Sequence, residues 1–523
     1  MVLTTAEITE ILKNKPNNDL LAKFRVESKI LNAHMTGKDN DDLLEKITGL
    51  ENEEQLKLRQ KFARSNKDIF ARIHRPEDKI FTAKGGSKVY DIAESERKDL
   101  IAHLKDVYNG IDIQSWVEQF ALTNLHIDPM GIVYIEISED GTNAYPTYKS
   151  THDILDYKLK GRRMEYLVLK TGKNDVYRVI DEVTDSIYKY SGETLTLINS
   201  YPNYFNEVPG IVISNILRKN SEYYESPDAE IVELANEYLR ESSVKTIYKL
   251  KHGYPKSWQY AGTCTECKGT GHYEGKDCKS CNGSGRAISK DASQTITIPI
   301  PEEGQPTIAP NIAGFVSPDI QGWDKMNDEQ EYLETLMHST YWGIKEKVQF
   351  NGQKTATEIV SDMQPINDRL VKFSMWAEEI EKFITDKVAK FLYTSYKGCS
   401  INYGKRFVLE AYDQIWTKYQ DARSKGSPMS VLDNLLIDYY ESRYASNQIE
   451  LSKHIKLMAV EPYVHQTPKE VKELEVSPLE YAKKVYYHEW LSTLNPNDLL
   501  IKDVLTLRKE LTTFVTEKIN TEV

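Results

Sequence analysis

Four closely spaced cysteines carry the clearest chemistry in this 523-residue sequence. Cys264 and Cys267 are separated by two residues, Cys278 and Cys281 repeat that spacing, and alternating glycines follow each pair, so the unit CxxCxGxG occurs twice. Within each unit two thiolates converge from one tight turn, and glycines adopt the positive φ values that aim backbone N–H groups at sulfur. The pattern predicts a tetrahedral site in which four thiolates hold one structural Zn²⁺ ion per chain.

A metal ion with four thiolate ligands keeps no open position for water, so we expect this zinc to stabilise the fold and not to catalyse. Paired cysteines in a reducing compartment also favour a metal over disulfides. The sequence contains no Walker-type glycine loop, no HExxH motif and no convincing nucleophile elbow. We therefore predict that the protein is not an enzyme. The fifth cysteine, Cys399, is expected to be a small buried apolar residue.

The formal net charge of -12 gives the chain no overall basic footprint. This argues against a broad grip on nucleic acid, so any contact with DNA should be local or loose. The first residues lack the basic and apolar regions of a signal peptide, and no apolar run approaches the ~20 residues that span a bilayer. We expect a soluble protein of cytoplasmic origin, without a membrane partner, that folds as several packed units.

Helical and strand periodicities alternate along the chain and predict an α+β fold. Residues 1–78 have a helical pattern and are expected to form an N-terminal arm. Residues 79–225 switch to strand patterns separated by turn signals, which predicts an α/β region containing an antiparallel meander. Its clearest strands are Gly131–Ile137, Tyr166–Leu169, Val176–Ile180 and Ser186–Tyr190.

Two predicted helices flank the cysteine-rich segment. The first occupies 226–251, with Ser226 as its N-cap. The second occupies 325–344. The segment between them, 252–324, is rich in proline and glycine, so we expect a small β-rich module whose zinc knuckle spans 264–285.

The remaining chain is predicted to be mainly helical. A polar loop, 345–354, precedes a capping box that begins a long helix. This helix lies within 355–425, is expected to kink at Pro365, and is followed by a returning strand at Arg406–Glu410. Residues 426–523 are expected to form a helical C-terminal region.

The doubled CxxCxGxG unit resembles the cysteine-rich zinc region of the J-domain co-chaperones. Those proteins carry four copies of the unit and a J-domain with a His-Pro-Asp tripeptide, whereas this sequence has two copies and no His-Pro-Asp. The resemblance therefore implies a zinc knuckle and not a chaperone. Structural zinc releases about 10 kcal/mol on binding to model peptides, which is enough to fold a short insert without a core of its own.

The order of predicted parts from Gly131 to Tyr419 resembles a tailed-bacteriophage portal protein. The strings most similar to that family are Val208–Asn215 (VPGIVISN), which closes the meander, and Thr355–Glu358 (TATE), which opens the long helix. In the family, an α/β wing leads into a stem helix, a small clip, a second stem helix, a tunnel loop and a long kinked helix before a helical crown. The resemblance assigns these parts in order to 79–225, 226–251, 252–324, 325–344, 345–354, 355–425 and 426–523.

This resemblance implies a homo-oligomeric ring, a dodecamer, at one vertex of a viral capsid. Such a ring is the head–tail connector and the channel for DNA packaging and genome ejection. It contacts the major capsid protein and docks the terminase large subunit and head–tail adaptor proteins. The chain would belong to the virion after assembly in the host cytoplasm. The net negative charge of the protein suits this function. Double-stranded DNA must slide through the channel, and many contacts between lysines and phosphates would stop that movement.

The resemblance also implies a tunnel loop that faces DNA. Lys345, Lys347 and Lys354 flank this loop and are expected to touch phosphates transiently, while Asn351 and Gly352 form its tip. Taken singly, each lysine is equally consistent with a solvated residue in an ordinary loop.

The residues leave other interpretations open. A zinc-ribbon nucleic-acid-processing factor would present the basic residues of the knuckle, and a chaperone-like binding protein would use the zinc module to hold peptides. The two flanking helices could also form a plain hairpin in the core of a monomer. Ser242, Ser243 and Thr246 favour the ring over that hairpin, because a monomeric core would want larger apolar groups. The basic residues of the knuckle are Lys268, Lys276, Lys279 and Arg286.

Overall fold

The computed structural model describes most of the chain and divides it into two compact units. Unit 1 spans Met1–Phe407 and unit 2 spans Val408–Val523. The described residues are 2–14, 19–49, 51–83, 85–252, 256–260, 262–286, 296–298, 313–316, 320–344, 356–405, 407, 412–444, 447–495 and 498–522.

Unit 1 begins with the helices of the N-terminal arm. They are α1 (Thr5–Asn14), α2 (Asp19–Thr36), α3 (Asn40–Ile47), α4 (Glu53–Phe62) and α5 (Lys67–His74), followed by a 3₁₀ turn (Arg75–Asp78) and α6 (Lys79–Thr82). Helix α5 buries Ile69, Phe70 and Ile73, the apolar positions that helical periodicity brings to one face. This burial fixes the orientation of His74, the polar residue at the end of α5.

A short strand and three helical segments connect the arm to the main sheet. They are β1 (Ser87–Asp91), α7 (Glu94–Leu104), α8 (Ile113–Trp116) and α9 (Thr123–Ile127), with a π-helical turn (Val117–Leu122) between α8 and α9. Trp116, Val117 and Leu125 are buried in the same apolar core as α5. The short helices therefore extend the core from the arm towards the sheet.

An eight-stranded sheet forms the centre of unit 1. Its strands are β2 (Ile132–Ile137), β3 (Ala144–Lys149), β4 (Ile154–Lys160), β5 (Arg163–Lys170), β6 (Val176–Ile180), β7 (Thr184–Ser191), β8 (Thr194–Pro202) and β9 (Gly210–Val212). The order is β3-β2-β9-β5-β6-β7-β8, with β4 paired to β5, and all pairs are antiparallel. The prediction of an α+β fold with antiparallel strands is confirmed.

Helices α10 (Val232–His252) and α11 (Ile320–Trp342) flank the insert and pack against each other. The prediction that α10 begins at a Ser226 cap is wrong. Residues from Ser226 to Ile231 form a turn, in which Ile231 N–H donates to the carbonyl of Asp228 at 2.9 Å. The Ser226 hydroxyl accepts from the N–H of Asp228 at 3.1 Å within this turn and donates to the carbonyl of His126. Two histidines contact the Asp228 side chain, so tertiary contacts hold both side chains.

The polar residues of α10 have partners within the chain. Ser243 is fully buried, accepts a hydrogen bond from Arg59 Nη1 at 2.5 Å and donates to the carbonyl of Arg240 at 2.6 Å. Thr246 donates its hydroxyl to the carbonyl of Ser242 at 3.0 Å. The interpretation that these residues favour a ring over a monomer is therefore not supported, because the arm supplies the reason for the buried polar position.

The insert contains two small sheets. In the first, β10 (Lys256–Tyr260) lies between β13 (Ile296–Ile298), which runs parallel to it, and β14 (Ala313–Val316), which runs antiparallel. The second is a hairpin of β11 (His272–Tyr273) and β12 (Lys276–Asp277) within the cysteine-rich segment.

Helix α12 (Ala356–Leu392) is 37 residues long and contains Pro365. Leu370, Phe373 and Ile380 of α12 are buried, and the indole N–H of Trp376 donates to the carbonyl of Ile213 at 2.7 Å. Strand β15 (Gly398–Asn402) follows and pairs with β1. The loop 345–354 and, apart from Phe407, the predicted strand Arg406–Glu410 lie outside the described residues.

Every element described in unit 2 is a helix. The helices are α13 (Tyr412–Ser424), α14 (Met429–Arg443), α15 (Gln448–Val460), α16 (Pro468–Glu473), α17 (Pro478–Thr493), α18 (Asp498–Ile501) and α19 (Val504–Glu522). Trp490, Leu507 and Leu511 lie in its buried core. Unit 2 thus includes α13, which precedes the helical region predicted to start at 426. Across the described parts of both units, no helix combines the length and apolarity needed to cross a bilayer.

Candidate metal centre

The two CxxCxGxG units fold as near copies of each other and exchange equivalent hydrogen bonds. The N–H of Cys264 donates to the carbonyl of Gly285 at 3.0 Å, and the N–H of Cys278 donates to the carbonyl of Gly271 at 2.9 Å. Each first cysteine is therefore tied to the last glycine of the other unit. This reciprocity gives the knuckle an approximate twofold symmetry.

The local turns repeat as well. The residue after the second cysteine has a positive φ in both units, 52° at Lys268 and 48° at Asn282. Two positions later, Thr270 and Ser284 each donate both the backbone N–H and the hydroxyl to the carbonyl of the second cysteine. These bonds close each turn without any contribution from an apolar core.

Two glycines allow the units to touch through their backbones. A Cβ atom on Gly271 would lie 2.4 Å from the carbonyl oxygen of Gly283, and one on Gly285 would lie 2.4 Å from the carbonyl oxygen of Gly269. Gly271 and Gly285 also have positive φ values of 75° and 69°. Any side chain at either position would separate the units and the cysteine pairs that they carry.

The four thiols converge on one point. Cys264, Cys267, Cys278 and Cys281 are all buried, and their Sγ atoms lie within 4.8 Å of one another. Cys267 Sγ and Cys281 Sγ, one from each unit, are 3.6 Å apart. Zinc–sulfur bonds of about 2.3 Å in a tetrahedron require sulfur–sulfur distances of about 3.8 Å. The arrangement therefore fits a tetrahedral metal ion.

The backbone prepares this site for thiolates. Gly285 N–H donates to Cys281 Sγ at 3.3 Å. Burial opposes ionisation of Cys267, but N–H groups of Gly271 and Gly269 and the neighbouring thiols outweigh burial and lower its pKa to about 6. Burial, together with the neighbouring thiols, raises the pKa of Cys278 to about 11, so the first proton to leave the cluster is that of Cys267. Hydrogen bonds to sulfur favour the charged form that a metal ion binds. The four cysteines that the spacing singled out thus form a site that could hold one ion.

The surface of the knuckle has no uniformly basic face. The exposed residues Lys268, Lys276 and Arg286 alternate along the chain with exposed carboxylates. Asp277 lies 3.1 Å from the imidazole Nδ1 of His272. Lys279 is exposed as well, and it already takes part in an interaction within the chain. The carboxylates on this surface would repel phosphate groups and would compete with them for the basic side chains.

The fifth cysteine does not join the site. Cys399 is buried in unit 1, with its Sγ 3.6 Å from Asp386 Oδ1, and burial raises the pKa of its thiol to about 11. This is the inert buried cysteine that was expected. The tunnel-loop residues lie outside the described part of the chain: Lys345, Lys347, Asn351, Gly352 and Lys354.

A second group of metal-ligand residue types escaped sequence reasoning. His74, Glu77 and His126 each bring a potential ligand atom within 4.8 Å of the others, and two of the three are fully buried. The spacing of His74 and Glu77 puts them one helical turn apart, but no local pattern connects them to His126. This group is analysed separately below.

Comparison with known proteins gives no relative: no protein-family model matches the sequence, and no curated protein matches it.

Proposed function

We propose that this chain is the subunit of a portal-type ring, a DNA channel at a viral capsid vertex, whose insert is a clip stiffened by Zn²⁺. The observation that carries the proposal is the arrangement around the insert. Helices α10 and α11, of 21 and 23 residues, pack together and bracket the knuckle, and the 37-residue α12 follows them. An antiparallel sheet precedes this set and a helical unit follows it, which is the order of parts in portal proteins.

The exposure of the flanking helices supports a neighbour in an assembly. Helix α10 buries Ala235 and Leu239 but leaves Arg240 and Lys249 exposed. On α11, the side chain of Tyr332 is 59% exposed. A hairpin in the core of a monomer would be covered on most sides, whereas a pore-forming hairpin needs free faces for adjacent copies and for the lumen.

In this proposal double-stranded DNA passes through the ring. The net negative charge of the chain limits its attraction to the DNA phosphates, so the duplex can slide. The terminase large subunit docks at the clip, head–tail adaptor proteins bind once packaging ends, and the major capsid protein surrounds the ring. The chain performs no catalysis of its own. Its four-thiolate centre closes the coordination sphere and leaves no site for a substrate.

Zinc is the ion we propose for the knuckle, because a buried set of four thiolates in tetrahedral arrangement suits it and keeps it redox-inert. In the described part of the insert, the four cysteines form a small buried cluster by themselves. A metal cross-link supplies rigidity that such a small core lacks. For a clip that bears the load of a docked motor, that rigidity is useful.

Electron microscopy of the purified full-length chain tests the proposal. We expect end-on rings with a central hole, and mass photometry should give one species of about twelve copies. A chain that stays monomeric or dimeric at every concentration would rule out the ring.

Elemental analysis of freshly reduced protein tests the metal separately. We expect one zinc per chain, retained in Cys399→Ser and lost in Cys264→Ser. A metal-free wild-type protein would overturn the assignment while leaving the ring untouched.

A further inference from the structure

Five polar residues meet in the interior of unit 1, where the helices that flank the insert begin and end. His74 closes α5, Glu77 lies in the 3₁₀ turn, His126 is in α9, Asp228 precedes α10, and Tyr341 is in the last turn of α11. Glu77, His126, Asp228 and Tyr341 are each at most 2% exposed. We call these five residues the junction.

His126 lies between the two carboxylates of the junction. Its Nδ1 is 2.9 Å from Asp228 Oδ2, and its Nε2 is 2.8 Å from Glu77 Oε2. Ionised carboxylates only accept hydrogen bonds, so both ring nitrogens must donate. An imidazole that donates from both nitrogens is protonated and positively charged.

The other carboxylate oxygens are also satisfied. Asp228 Oδ1 lies 2.7 Å from His74 Nε2, which can donate in either protonation state of that ring. Glu77 Oε1 accepts the hydroxyl of Tyr341. Each carboxylate thus has one partner in His126 and one partner elsewhere, and the network is closed.

The same residue types could suggest a metal ion, but the ring geometry argues against one. The rings of His74 and His126 stack with centroids 4.0 Å apart and an angle of 25° between their planes. The nitrogen lone pairs lie in the ring planes, so two nearly parallel stacked rings direct them side by side and not towards one shared ion. Asp228 also occupies one nitrogen on each ring.

A second cation lies beside the junction. The guanidinium of Arg369 lies 3.9 Å from the centre of the Tyr341 ring and donates to the carbonyl of Pro227 at 3.0 Å. It also lies 3.9 Å from the exposed carboxylate of Glu230, so its charge is shared between the junction and that group. The protonated ring of His126 is therefore the cation that contacts both buried carboxylates directly.

Two titratable groups next to the junction also have shifted pKa values. His34 faces Asp228, and burial lowers its pKa to about 4, which keeps it neutral. Asp78 faces Glu77, and burial followed by the Glu77 charge raises its pKa. Burial opposes the charge on His126, but Glu77 and Asp228 outweigh burial and raise its pKa to about 10.

We propose that the junction is a proton-held lock: an imidazolium at His126 bridges Glu77 and Asp228 and fixes the start of α10 and the end of α11 to the N-terminal arm, without a metal ion. The contact of Trp342 with the arm supports this, since its indole N–H donates to the carbonyl of Ile73 at 3.0 Å. The proposal does not depend on the ring, because every contact lies within one chain.

Metal counting on intact protein is the first test. Wild-type protein is expected to hold no metal beyond the knuckle, and Cys264→Ser/Cys267→Ser should hold none. A second equivalent in wild-type protein, or metal that the cysteine variant keeps and loses on adding His126→Gln, would overturn the lock. A wild-type protein without any metal would remove the zinc assignment and leave the lock standing.

Nitrogen NMR of protein labelled in histidine is the second test. At pH 8, where ordinary histidines are neutral, we expect a ring with both nitrogens protonated. The signal should vanish in His126→Gln and persist in His152→Gln, a variant at an exposed histidine. Absence of any doubly protonated ring in the wild-type protein would overturn the proposal, and this readout does not require the variant to fold.

Discussion

The zinc knuckle and the junction both hold segments together through polar groups, but they draw on very different lengths of chain. All four thiols come from 18 consecutive residues, 264–281. The junction joins His74 to Tyr341 across most of unit 1. As we propose them, one centre needs a metal ion and little surrounding fold, whereas the other needs the complete fold and only a proton. Removing a part should therefore have local consequences at the knuckle and global consequences at the junction.

Loss of the knuckle metal is expected to have the largest effect. Cys264→Ser should release the ion and forfeit binding energy of about 10 kcal/mol, the scale of structural zinc in small modules. Hydrogen exchange should then lose protection across 262–286 while β2 and β5 stay protected, because the sheet has its own core. Cys399→Ser is the matched control and should keep the metal. Loss of protection throughout the sheet would show that the knuckle is not local.

The junction should respond in the opposite way. Asp228→Ala leaves the buried imidazolium of His126 with only one carboxylate to compensate its charge, which costs about 3 to 5 kcal/mol. We expect denaturant unfolding followed by tryptophan fluorescence to give this loss for unit 1, with zinc content unchanged. Asp324→Ala, at an exposed position on α11, should cost little. A comparably small loss at Asp228 would mean that the junction is dispensable.

Changes of pH separate the two centres further. The raised pKa of His126 means that its stabilisation is complete below about 6.5 and is lost as the pH rises through about 10. Burial opposes the charge on Asp228, but His74 and His126 lower its pKa, so its stabilisation is present above 3.8 and fades below. The stability of unit 1 should therefore be greatest between these limits. Thermal unfolding from about pH 2 to about pH 10.5 checks both declines, and His126→Gln should flatten the alkaline one.

The sequence identified all four cysteines of the knuckle because they lie close together in the chain at a regular spacing. The strands β2, β5, β6 and β7 were also predictable from apolar periodicity. Strand β3 was missed because it contains Pro146. Strand β8 was missed although Thr194–Leu197 alternate polar and apolar residues, and in the structure it is exposed along nearly its whole length. Short sequence patterns thus identified the features that depend on residues close together in the chain.

The misread positions all depend on distant partners. The start of α10 was placed at Ser226 because a serine can cap a helix, yet the Ser226 hydroxyl donates to the carbonyl of His126, 100 residues away. Ser243 was read as a sign of assembly, yet it binds Arg59, 184 residues away. A polar group that pairs with a distant residue leaves no periodic pattern in the sequence, so neither pairing could be found without the structure.

The smallest predicted effect tests the twofold symmetry within the knuckle. Gly271→Ala and Gly285→Ala each place a Cβ 2.4 Å from a backbone carbonyl of the other unit, at a positive φ. Gly275→Ala is the matched control, since its φ is 76° and its Cβ meets open space, so it incurs only the left-handed strain of about 1 to 2 kcal/mol. We expect the first two variants to weaken zinc binding equally and more than the control, as measured by competition with a chelator. Unequal losses would mean that the two units are not equivalent, and that one of them organises the centre for the other.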